Sequence, residues 1–120
     1  MKTQLPGDCG NSPRITIVGE FATAWAAGDA DAMGEWLADD AEWVVAGGES
    51  FAGADAVSGG LPPEPVESLE VNTIITHGRL ASCDGVLETA DGTVAFSLTL
   101  RFAGATKTAK IREVRSYLIR

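Results

Sequence analysis

Ile15, Val18, Ala22 and Trp25 recur at the spacing of one helix face, with Phe21 four residues before Trp25. Asn11-Ser12-Pro13 supplies a start: Ser12 can accept from free N–H groups, and the missing N–H of Pro13 costs nothing in a first turn. Gly28 predicts the stop, because glycine takes the left-handed conformation past a helix end. Asp29 then caps a short second helix through Ala32, Met33, Trp36 and Leu37, which Asp39-Asp40 ends. Ala41 to Val45 has strand composition and is closed by Gly47-Gly48. Phe51 to Val57 has room for one helical turn. Gly59-Gly60-Leu61-Pro62-Pro63-Glu64-Pro65 combines glycines with prolines and reads as a loop crossing at the rim of a pocket.

Beyond Pro65 the pattern changes period. Val66 to Thr76 is rich in β-branched residues, and His77-Gly78 turns it into Arg79 to Glu88. Asp91-Gly92 predicts a type I′ hairpin, whose central residues need positive φ. Val94, Phe96, Leu98, Leu100 and Phe102 then alternate with Ala95, Ser97, Thr99 and Arg101, the clearest strand in the chain. Lys110 to Ile119 is the last strand. Its spacing of Ile111 and Val114 predicts a bulge near Arg112-Glu113 that absorbs one residue. Two helices, one strand, a broken segment and four antiparallel strands make an α+β fold.

Composition narrows the class. The chain has 120 residues, 45% apolar and 22% charged, which suits one globular domain over residues 1–120. No apolar run approaches a bilayer span, and Met1 to Gly10 carries no apolar signal core. A cytoplasmic protein without membrane contact is expected. Cys9 and Cys83 lie far apart and outside any zinc spacing, which suits free, buried thiols in a reducing compartment. The net charge of −8 opposes nucleic-acid binding. The charge is uneven: six of the nine basic residues fall within residues 101–120 (Arg101, Lys107, Lys110, Arg112, Arg115 and Arg120), beside a single acid, Glu113.

Several segments resemble the nuclear transport factor 2-like superfamily, which includes SnoaL-like cyclases and ketosteroid isomerases. They are Phe21-Ala22-Thr23-Ala24-Trp25-Ala26-Ala27-Gly28-Asp29, Leu37-Ala38-Asp39-Asp40-Ala41-Glu42-Trp43, Ile75-Thr76-His77-Gly78 and Lys110-Ile111-Arg112-Glu113-Val114-Arg115-Ser116-Tyr117. The opening Asp8-Cys9-Gly10-Asn11-Ser12-Pro13 is similar to a small bacterial branch of the superfamily. The resemblance implies a cone: three N-terminal helices against a strongly curved, mixed but mostly antiparallel sheet, a pocket at the open end, and a homodimer through the sheet's outer face. It does not by itself imply a reaction, because one fold carries many chemistries.

Within that resemblance, the aspartate base of ketosteroid isomerases falls at Val45 and is missing. The acid and tyrosine carried by relatives of the Ile-Thr-His-Gly branch fall at Leu98 and Leu100. His77, the lone histidine, is one acid/base candidate, since histidine is the side chain type suited to proton transfer at neutral pH, although turn hydrogen bonding also explains it. Tyr117 resembles the tyrosine near the end of the family's last strand and could orient a ligand or satisfy a backbone group. Trp25 and Trp43 could form an aromatic wall or be core. Asp39-Asp40 reads as a solvated helix end. No metal spacing, nucleophilic triad, phosphate loop or cofactor signature stands in the chain.

The leading expectation is a domain binding a small apolar or flat molecule against Phe21, Trp25, Trp43, Val45, Phe96 and Leu98, with His77 and Tyr117 as polar contacts. One alternative is an isomerase, cyclase or dehydratase using His77 or Tyr117 for proton transfer. The other is an assembly module whose cone is plugged by its own side chains.

Overall fold

The computed structural model describes residues 1–6 and 13–120. Ser12 as a cap and Cys9 as a buried thiol lie outside the described residues. Helix α1 spans Pro13–Ala27 and buries Val18, Phe21, Ala22 and Trp25 completely. It stops at Gly28, at φ +71°, where Gly28 N–H donates to Trp25 O and Asp29 N–H to Ala24 O, the paired bonds of a Schellman end. Asp29 caps α2 (Ala30–Trp36), its carboxylate accepting from Ala32 N–H at 3.2 Å. No described helix is long and apolar enough to cross a membrane.

Among the described residues seven strands form one mixed sheet. They are β1 (Lys2–Gln4), β2 (Leu37–Val45), β3 (Ser50–Ala52), β4 (Val66–His77), β5 (Leu80–Thr89), β6 (Gly92–Phe102) and β7 (Ile111–Ile119), in the order β1-β4-β5-β6-β7-β2-β3. The four long strands β4 to β7 pair antiparallel in succession, as their alternation predicts. Parallel pairs flank them, β1 on β4 and β2 on β7. Their alternating residues divide between a concave face, with Leu87, Phe96, Leu98, Leu100 and Val114 buried under α1, and a convex face. The architecture is α+β, with three helices among the described residues and a mixed sheet that does not close.

The expected bulge is present. Arg101 pairs with Glu113 but Phe102 with Ile111, so Arg112 has no opposite number. A second irregularity in β4 skips Asn72, between the Val71–Gly85 and Thr73–Asp84 pairs.

Three local expectations are corrected. Asp39-Asp40 do not end a helix: α2 stops at Trp36, Leu37 is extended, and both aspartates are exposed positions of β2. The strand wins because Leu37, Ala41 and Trp43 gain burial. Phe51 belongs to β3, paired with Trp43, and the helical turn comes later as α3 (Asp55–Gly60), which takes in Gly59 and Gly60. The two loop residues of the β5–β6 hairpin are Ala90-Asp91, because Thr89 pairs with Gly92. No described non-glycine residue has positive φ, so the turn is not type I′; Gly92 alone takes φ +129°. Strand β1 has no counterpart among the expectations; its ladder is supplied by β4.

Arg14 joins these parts. Its side chain is buried in the first turn of α1, stacked 3.7 Å over the Phe102 ring. It donates to Thr106 O at 2.8 Å, Gly104 O at 3.3 Å and Gly78 O at 3.4 Å, tying α1 to both turns at that end of the sheet. Desolvation lowers its pKa.

Candidate functional site: the concave aromatic wall

The concave face gathers most of the residues expected to meet a ligand. Phe21 and Trp25 reach it from α1, Trp43 and Val45 from β2, and Phe96 and Leu98 from β6. Trp25 and Phe96 stand 5.1 Å apart between ring centroids, and Phe21 and Trp43 6.0 Å, both tilted as aromatic quadrupoles prefer. Phe21, Trp25, Trp43 and Leu98 have no accessible surface, and Val45 is half-buried where β2 runs into Gly47-Gly48.

Both indole N–H groups have partners, as buried donors must. Trp43 Nε1 donates to Ser116 Oγ at 3.0 Å, and Trp25 Nε1 to Gly60 O at 2.7 Å. Ser116 lies on the same face of β7 because it pairs with Val45. Among the described residues, the buried polar or charged side chains are Arg14, Thr89 and Ser116, so no carboxylate or imidazole lies within the wall.

Helix α3 closes this wall at the Trp43 end. A Cβ added to Gly60 would stand 2.1 Å from the Trp43 ring, and one added to Gly59 would stand 2.1 Å from the Phe51 ring. Two adjacent glycines therefore let α3 lie flat on the cross-strand Trp43–Phe51 pair. The cover is short, at six residues, and its N-cap Ala54 makes no side-chain capping bond. The sequence showed Gly59-Gly60 only as breakers; that they bear on Phe51 and Trp43 follows from the β2–β3 pairing and not from a local pattern.

His77 and Tyr117 do not join the wall. His77 pairs with Leu80 at the end of β4, and Tyr117 pairs with Ser97, both on the convex face. His77 is exposed and Tyr117 is 42% exposed. Around them the convex face also exposes Ile75 (60%) and Ile119 (70%). Cys83 points inward as a buried free thiol. Burial, with Asp84 beside it, pushes its pKa up to about 12, and the Leu98 backbone hydrogen bond opposes the rise. Among the described residues no group of three or more His, Cys, Asp or Glu is placed to hold a metal ion.

A curved mixed sheet wrapped over N-terminal helices defines the nuclear transport factor 2-like class of fold. The chain belongs to the SnoaL-like domain family, whose model matches residues 18–110. Solved structures share the fold. A nuclear transport factor 2-like protein of unknown function from Burkholderia xenovorans LB400 is 21% identical, over 93% of this chain and 86% of that one, with a TM-score of 0.72. Another from Cytophaga hutchinsonii ATCC 33406 is 16% identical over 99% and 95%, with a TM-score of 0.67. A hypothetical protein with a ketosteroid isomerase-like fold from Catenulispora acidiphila DSM 44928, solved in complex with trimethylamine, is 22% identical over 84% and 83%, with a TM-score of 0.65. No curated protein matches the chain.

Proposed function

We propose that this SnoaL-like domain binds a small, flat, uncharged molecule against Trp25 and Trp43, which enters when α3 moves off the sheet. The observation that carries this reading is the make-up of the wall: a contiguous aromatic and aliphatic surface, closed to solvent, whose cover at the Trp43 end is a six-residue helix resting on glycine backbone. Ligand sites of this kind are mostly apolar with a few placed polar groups, here the Ser116 hydroxyl, which accepts from the Trp43 indole. An uncharged ligand follows from the dry lining, since an ion there would lack a counter-charge. Proton transfer by His77 or Tyr117 is disfavoured, because both stand on the opposite face of the sheet from this wall.

Gly60→Ala tests the reading. Its Cβ cannot coexist with the Trp43 ring, so α3 is expected to detach while the sheet persists. Nile red, a flat uncharged fluorophore, should bind the variant more tightly than the wild type and quench tryptophan emission. Unchanged far-ultraviolet circular dichroism would establish that the fold survives. Absence of saturable binding to either protein would remove the ligand-binding reading.

Self-association is a second reading, favoured by the exposed Ile75, Tyr117 and Ile119 on the convex face. Ile75→Asp is then expected to convert a homodimer into a monomer in sedimentation equilibrium. A wild type that sediments as a monomer at high concentration would exclude this role for the face.

A further inference from the structure

We propose that the groove between the end of α1 and the Pro62–Pro65 loop binds a small primary alkylammonium ion, in competition with the chain's own Arg120. This site is separate from the concave wall and does not depend on the reading given above. The groove has a volume of about 350 Å³. One wall is the end of α1, with Ala26, Ala27 and Gly28, and the other is apolar backbone and ring from Leu61, the prolines and Val66.

Three observations give the groove a preference for cations. An α-helix leaves its last four carbonyls without intrahelical partners, and its C-terminal end carries partial negative charge. In α1 the Schellman bonds take up Ala24 O and Trp25 O, so Ala26 O and Ala27 O are the other two of that end. The last turn of α1 has no basic residue to offset them. Glu64 adds a full charge: its side chain is only 18% exposed, yet it lines this groove.

A cation already sits on Glu64. The Arg120 guanidinium donates to Glu64 Oε1, although the arginine side chain itself is 56% exposed. A mostly buried carboxylate is thus neutralised by a solvated side chain, with a strongly negative molecule around it. The arginine side of this pair is open to solvent, so a diffusible cation can reach the carboxylate and compete with the guanidinium. A primary ammonium fits the acceptors: three N–H donors can divide between the Glu64 carboxylate and the two helix-end carbonyls. Its alkyl tail would then lie along the prolines.

The test is a titration of the full chain with n-butylammonium chloride, followed by amide nitrogen–proton NMR at Gly28 and Val66, with n-butanol as the uncharged control. Saturable shifts at those amides, absent with n-butanol, are expected. Glu64→Gln should weaken binding about tenfold, the scale of a lost charge-assisted hydrogen bond. Arg120→Ala should tighten it about two- to fivefold by removing the competitor. These opposite responses cannot both follow from a general loss of structure, and saturable shifts confined to Gly28 and Val66 separate the groove from general surface charge. Lack of saturation at Gly28 and Val66, equal shifts with n-butanol, or an Arg120→Ala variant that binds no more tightly would overturn the proposal.

Discussion

Replacing Gly85 by alanine is expected to cost about 3 kcal/mol of stability, the upper range for overfilling a packed interior. The new Cβ would stand 1.9 Å from Glu70 O and 3.0 Å from Val71 Cα, both backbone atoms of the neighbouring strand. A side chain in the way could rotate; a strand fixed by its own ladder cannot. The contact coincides with the β4 irregularity at Asn72, where Val71 faces Gly85 before the register slips. Bulge and glycine together let β4 bend over β5, so the substitution opposes the curvature that makes the face concave. Thermal unfolding followed by circular dichroism should show a melting temperature about 10 °C lower. A shift within about 2 °C would mean that β4 does not approach β5 this closely.

Trp43→Ala is expected to cost about 4 kcal/mol, as for other fully buried tryptophans cut back to alanine. Trp43 touches three layers at once: Phe21 of α1, the Gly60 backbone of α3 and Ser116 of β7. Its loss leaves a cavity and strands the Ser116 hydroxyl in an apolar setting. Trp43→Phe separates these effects, since it keeps an aromatic body and removes only the N–H donor and one ring. Urea titrations should place Trp43→Phe between wild type and Trp43→Ala. Equal stability of the wild type and Trp43→Ala would show that the indole is not the keystone of this packing.

Much of this architecture was legible in the chain because its signals are periodic. Ile15 to Trp25 announces α1, and the alternation from Val94 to Phe102 announces β6. Even the Arg112 bulge could be read, because Ile111 and Val114 are out of step with a two-residue repeat. What escaped depends on partners distant along the chain. Lys2, Thr3 and Gln4 are exposed and show no apolar rhythm; they are a strand only because the edge of β4 receives them. Asp39 and Asp40 have low strand propensity, and β2 runs through them because residues on either side are buried. The aromatic members of the candidate wall followed from their spacing and from the family resemblance. The placement of His77 and Tyr117 required the register of β4 to β7, which no single strand reveals. Gly59-Gly60 as a bearing surface and Arg14 as a buried tie were equally beyond a local pattern.

The parallel pairing of β2 with β7 bears on the order in which the molecule can assemble. Leu37–Val45 must wait for Ile111–Ile119, about seventy residues later, before one side of its ladder is satisfied and Ser116 can receive the Trp43 indole. The hairpins from β4 to β7 need only neighbours in sequence and can form first. Closing the β2–β7 connection last carries the largest loop entropy in the sheet and places this chain among the slower-folding topologies of its size. Until that step the Trp43 indole and the apolar residues beside it in β2 stay in water, where they expose sticky surface to other unfinished copies.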